Sequence, residues 1–313
     1  MTYTPDDVRS VLVAPTRAEV GTRAPREPCV FTWAGDRSRP GTPAGHSRYV
    51  RGQNLCISHT VLEAGVALSE TGIPDEHVVL LPEGDATVAV STDAGDVVLD
   101  QPGLAIVPSG TSSLIADRDC VVLRVFSSRA RSVLARAEND AMYLTADPAV
   151  TPLSPGPPPG GGPARVIFLT DIPQDPARLG RIFLTDSLMI NWFPPQEGPR
   201  DPEKLSPHVH EDFEQASVTL RGDYIHHFRS PWTPRLSEWR DDQTVPCASP
   251  SVAIIPPGII HFTRAVGAGM HQLIDIFAPP RADFMAQGWA LNADEYPQVQ
   301  AATGAEPRNR RTT

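Results

Sequence analysis

The stretch Asp147–Pro163, DPAVTPLSPGPPPGGGP, limits the architecture of this chain more than any other. Proline has no backbone donor, and glycine gives up the most entropy on being fixed, so such a run builds neither helix nor sheet ladder. It reads as a linker. It divides the 313 residues into a first domain at 1–147, a linker at 148–163, and a second domain at 164–313 that ends in a C-terminal tail.

Both sides of the linker proceed in short runs of Val, Ile, Leu and Phe separated by Gly, Pro and Asp. Examples are Asp119–Phe126 (DCVVLRVF), Arg165–Thr170 (RVIFLT) and Gln272–Phe277 (QLIDIF). Runs of this size are strands, and the rhythm predicts an all-β chain of antiparallel sandwiches or barrels. Helical spacing is confined to Ser128–Asn139 and to the region of Arg281–Trp289. The halves also repeat each other. Asn54–His59 matches Ser187–Trp192, His77–Gly84 matches Gln215–Gly222, and Pro102–Ser113 matches Pro250–His261, in the same order. The offset grows from 133 to 138 to 148, so the second copy carries two insertions, one before His208 and one at Ser230–Asp242.

Charge removes several functions. There are 27 basic and 37 acidic residues, net −10, with no basic stripe to meet a phosphate backbone, so no nucleic-acid partner is expected. No apolar run is long enough to span a bilayer. The start, MTYTPDDVRSVLV, has acids where a secretory leader carries bases. A soluble cytoplasmic protein without a membrane partner is expected. Four scattered cysteines without a CxxC fit reduced thiols. No GxGxxG, P-loop or GxSxG elbow appears, which leaves nucleotide chemistry and serine hydrolysis unsupported.

The chemistry concentrates in the second half. His208 and His210 alternate, so in an extended segment both imidazoles face one way. His261 follows a Pro-x-Gly turn about fifty residues later. Three imidazoles converging from two strands suit Zn, Fe, Ni, Cu or Mn.

These motifs resemble those of the cupin superfamily. Its first motif runs HxH, three or four residues, Glu or Gln, six residues, Gly; here it is His208, His210, Gln215 and Gly222. Its second, PxGxxH, is Pro256, Gly258 and His261. Pro250 and Ala265 depart from the usual second motif at positions that are not ligands. The resemblance covers both halves and implies a bicupin, two double-stranded β-helix (jelly-roll) barrels in one chain. It implies one divalent transition metal in the second barrel, Fe(II) favoured over Zn, Mn, Ni or Cu. The fourth ligand is open between two adjacent residues. Spacing selects Gln215, whereas Glu214 lies on the opposite face with Ala216, Val218 and Leu220; Gln215 is favoured. In the first half the corresponding positions hold Glu70, Gly72, His77 and Ser113, a degenerate site.

Other residues are candidates by position. His226 and His227 follow Gly222, so one of them faces the interior, and His227 is taken as a catalytic base. Arg264, past His261, is taken as a clamp for a substrate carboxylate. Trp232 and Trp239 in the Ser230–Asp242 insertion are taken as the substrate-binding lid. Asp275, inside an apolar run, requires a partner, for which Arg281 is the candidate. A set of three His and one Gln leaves a divalent ion strongly positive, which favours a small anionic substrate. The tryptophan-bearing lid tips the expectation towards an iron dioxygenase. A Lewis-acid isomerase or lyase on a small carboxylate or sugar acid and a non-catalytic ligand-binding cupin are the alternatives. A homodimer is expected.

Overall fold

The computed structural model describes residues 8–11, 23–33, 46–154 and 162–304; of the linker 148–163, residues 155–161 lie outside them. The described residues are almost entirely strand. In the first half these are β1 (Cys29–Thr32), β2 (Ser47–Arg51), β3 (Leu55–Leu62), β4 (Leu68–Ile73), β5 (His77–Leu81), β6 (Val88–Thr92), β7 (Gly95–Leu99), β8 (Gly103–Val107), β9 (Gly110–Ala116) and β10 (Cys120–Ser127). After the linker come β11 (Arg165–Phe168), β12 (Arg181–Leu184), β13 (Met189–Trp192), β14 (Gln196–Glu197), β15 (Gln215–Arg221), β16 (Asp223–Arg229), β17 (Gln243–Ala248), β18 (Ser251–Ile255), β19 (Ile260–Val266) and β20 (Met270–Phe277). The expected helical regions hold only single turns, α1 (Arg131–Leu134) and α2 (Ala282–Ala286), and a third, α3 (Pro297–Ala302), closes the described chain. No helix among these residues is long and apolar enough to cross a membrane.

The repeat is visible in the sheets. One large sheet runs β11-β8-β5-β10-β3-β2 and the other β1-β18-β15-β20-β13-β12, the same order strand for strand. Smaller sheets, β4-β9-β6-β7 and β17-β16-β19, face them. The edge strands are exchanged: β1 pairs with β18 of the second half, and β11 pairs with β8 of the first. The two halves are thus joined by main-chain hydrogen bonds as well as by the linker.

Alternation along each strand decides what lies between the layers. Ala216, Val218, Ile274 and Ile276 of the second half pack with Val78, Leu80, Leu123 and Val125 of the first in one apolar core. Each such Val, Leu or Ile, fully buried, contributes roughly 1.5–3 kcal/mol. The opposite faces line the barrel interiors, and here the copies differ. In the first barrel Val79, Leu81, Val88, Ala105 and Val107 fill the interior. In the second, the positions matching Val79 and Leu81 are Ser217 and Thr219, both fully buried. That swap of aliphatic for polar side chains leaves the second barrel able to hold a polar site.

Candidate metal centre

The two motifs are clamped together by backbone. His208 and His261 form an isolated antiparallel bridge, with His208 N–H donating to the His261 carbonyl at 3.0 Å and His261 N–H returning to the His208 carbonyl at 2.8 Å. Gly258 takes φ +83°, open to glycine at little cost, and its N–H donates to the His210 carbonyl at 2.7 Å. The Pro-x-Gly turn therefore starts β19 and fixes the first motif at once. Gly222 is required for another reason: a Cβ there would sit 2.4 Å from the His271 ring.

The ligating atoms of His208, His210 and His261 lie within 4.8 Å of one another, and this cluster could hold a metal ion. His208 Nδ1–H donates to the Ser206 carbonyl and His261 Nδ1–H to the Ile259 carbonyl, both at 2.9 Å. These bonds select the tautomer that turns the Nε2 lone pair of each ring to the centre. His261 is 1% exposed and its Nε2 has no hydrogen-bond partner. A buried polar atom left this way needs an explanation, and a cation supplies one. Burial holds all three imidazoles below the usual histidine range, His261 at about 4, so each is neutral and ready to ligate at neutral pH. Gln215 Oε1 lies 2.9 Å from His210 Nε2. Two atoms each about 2.1 Å from one ion and at right angles to it are about 3.0 Å apart, so the donor set fits a divalent transition ion.

A cavity of about 510 Å³ opens over His208, Gln215 and His261. Its wall mixes polar and charged side chains, Arg9, Arg200, Tyr224, Thr263, His271 and Asp275 among them, with apolar ones that include Phe193, Phe262 and Leu273.

No family model and no curated sequence matches the chain. Solved structures do. A single-residue variant of oxalate decarboxylase from Bacillus subtilis superposes with a TM-score of 0.51 over 95% of this chain and 90% of its own, at 12% identity. Oxalate decarboxylase from Lactobacillus farciminis, in a formate complex, gives 0.50 over 89% and 96%, at 13%. An IolB-like protein from Salmonella typhimurium gives 0.50 over 80% and 93%, also at 13%. These are cupin-type proteins. The chain has the bicupin fold. Identities this low carry no more than the fold.

Within this bicupin the other candidates distribute unevenly. On β16 the buried residues are Tyr224, His226 and Phe228, so His226 is the inward histidine and His227 is not. His227 stacks on Phe262 at 4.4 Å and does not itself line the cavity. Arg264 does not line it either: His261, Thr263 and Ala265 take the inward positions of β19. Trp232 and Trp239 are also displaced. They stack on each other at 4.6 Å, 61% and 43% exposed, and neither lines the cavity. Their loop is instead held to the N-terminal segment: Glu238 accepts from Ala24 N–H, and Arg240 donates to the Pro25 carbonyl. Glu214 turns away from the histidines, accepting from Gln53 N–H and from Tyr143 O–H at 3.1 Å in the first half. It is buried between the halves. Asp275 has Ser217 as its partner, whose hydroxyl donates at 2.7 Å, while Arg281 pairs with Asp283. Arg9 was not anticipated; it arrives from the far N-terminus, on a four-residue 3-10 turn.

The first barrel holds a different solution at the matching place. Two independent alignments of strand register, through β5/β15 and through β3/β13, set Arg124 where the second barrel has Asp275. Arg124 is 1% exposed and donates to Glu70 at 2.8 Å, Tyr49 at 2.8 Å and Ser58 at 3.1 Å. Burial, then the Arg124 charge, press His77 down to about 3. A fixed guanidinium already occupies the interior, and it would repel a metal ion.

Proposed function

We propose that this chain is a metal-dependent enzyme acting on a small carboxylate, with one divalent transition ion held by His208, His210, His261 and Gln215. The observation that carries the reading is the buried, partnerless Nε2 of His261 beside two further imidazoles. When bound, the ion supplies a Lewis acid that polarises a chelating oxygen.

The protein groups supply the rest. Arg9 places a positive charge near His208, His261 and Asp275, which draws an anion into the cavity and offsets its charge there. Arg200 donates to the Ser206 hydroxyl at 2.9 Å and so braces the approach to His208. Burial raises the Tyr224 phenol, which therefore stays protonated and can donate to a bound oxygen. The two arginines on the cavity wall, Arg9 and Arg200, suit a hydroxy- or dicarboxylate. The tryptophans that favoured a dioxygenase do not line it, so Lewis-acid isomerase, lyase or decarboxylase chemistry is the reading we adopt.

The test is metal analysis of the isolated protein, followed by anaerobic addition of small hydroxy- and dicarboxylates to the Fe(II), Mn(II) and Zn(II) forms. Anaerobic turnover is expected. Turnover only with matching O2 uptake would return the assignment to a dioxygenase. Binding without turnover in any form would make the chain a ligand-binding module.

A further inference from the structure

We infer that Asp275 is a positioning residue that holds the side-chain amide of Gln215 with its oxygen turned to the histidines, an inference that rests on the metal reading above. The two ends of a glutamine amide have nearly the same shape, but only the oxygen can ligate a cation. What fixes the end is the group on the other side. An ionised carboxylate is acceptor-only, so it takes the NH2 end and leaves the oxygen for the metal side.

Asp275 is built for this. Ser217 and Asp275 are directly opposed on β15 and β20, and Gln215 is the next inward residue of β15. Asp275 lies on the cavity wall, 9% exposed, diagonally across the strand pair from Gln215, which lines the same cavity. The Ser217 hydroxyl donates to its Oδ1 at 2.7 Å and fixes the carboxylate plane. Gln215 Oε1, at the other end of the amide, lies 2.9 Å from His210 Nε2. Arg281 does not compete for the carboxylate: its Nε donates to Asp283 at 3.0 Å, and its guanidinium lies 3.7 Å from the centre of the Phe284 ring.

The internal repeat gives an independent reason. The three positions 215, 217 and 275 correspond to His77, Val79 and Arg124 in the first barrel. All three differ together. Where the amide is gone, the serine and the carboxylate are gone with it, as expected if they form one device.

The experiment is a double-mutant cycle on the full chain, read as the Kd for Co(II) from its absorption spectrum. Wild type is expected to bind one Co(II); failure to bind any would overturn the metal reading and this inference with it. Asp275→Asn, which keeps shape but offers both donor and acceptor, is expected to weaken Co(II) binding by about tenfold, as loss of an outer partner of a ligand typically does. In the Gln215→Ala background the same change is expected to shift Kd by less than about twofold, because Asp275 then has nothing to orient. An equal loss in both backgrounds would show that the carboxylate acts on the ion as a bare charge, and no loss in either would show that it does not act; both overturn the inference while leaving the metal reading intact. A measurement without a variant at 275 guards against a folding defect. In 15N-glutamine-labelled wild type the Gln215 side-chain NH2 signals, assigned by their loss in Gln215→Glu, are expected to exchange slowly with solvent. Rapid exchange would overturn the inference.

Discussion

Glu214 and Gln215 are neighbours with opposite duties, and exchanging each for alanine separates them. The Glu214 carboxylate accepts from Gln53 N–H and Tyr143 O–H. Truncation strands two partly buried donors, at up to about 1–3 kcal/mol each. Part of that is recovered, because burial raises the Glu214 carboxyl and its charge is costly to keep there. A net loss of about 2–4 kcal/mol follows, and at about 2–4 °C per kcal/mol for a unit of 150–250 residues the melting temperature drops by about 5–15 °C. Co(II) affinity is unmoved. Gln215→Ala does the reverse: its amide faces a cavity where water can replace its hydrogen bonds, so the melt shifts little, but Co(II) Kd rises at least about tenfold. Near-UV circular dichroism melts and Co(II) titrations on both variants decide the matter. Loss of Co(II) in Glu214→Ala without a change in melting temperature would refute the assignment of the two faces.

Elemental analysis is expected to give one ion per chain and near-total loss in His261→Ala; two ions per chain would mean that Arg124 does not exclude a metal from the first barrel. Trp232→Ala and Trp239→Ala are expected to leave metal content and carboxylate binding unchanged and to cost about 1 kcal/mol of stacking, checked by calorimetry; a raised binding constant would put an indole back over the cavity. Acid stability follows from His77, held at about 3 against an ordinary 6.5. The unfolded chain takes up the proton first, so stability is complete above about 6.5 and falls as pH drops towards 3, by about 1.4 kcal/mol per pH unit for this one group. His77→Phe is expected to flatten the urea-unfolding slope over that window by one proton, and an unchanged slope would place the titration elsewhere.

The spacing of the metal motifs was legible because ligand geometry leaves little freedom in it. The same holds for the all-β class and the repeat. Side-chain direction was less so. Parity along β15 passes through a register shift between Thr219 and Arg221 and a left-handed Gly222, which erases the count before His226 and His227. The position of the 230–242 insertion was readable, but its tryptophans are turned by contacts to Ala24 and Pro25, some 215 residues away. Arg9 reaches the cavity across a similar distance, and no local pattern announces it. Sequence proximity makes Arg281 the candidate partner of Asp275, whereas the hydroxyl of Ser217 on the neighbouring strand donates to it.

The exchanged edge strands bear on synthesis. Strand β1 ends at Thr32, and the strand it pairs with, β18, begins at Ser251. At about 5–20 residues per second a ribosome needs on the order of ten to forty seconds to make the chain between them. For that interval Cys29–Thr32 has no ladder to join, while the first barrel waits for β11 beyond the linker. Residues 164–313 released alone would carry away β11 and leave β18 with an open edge, the kind of edge that recruits another chain. The two halves are therefore assembled as one unit only after β18 has been made, and the first strand is among the last to be fixed.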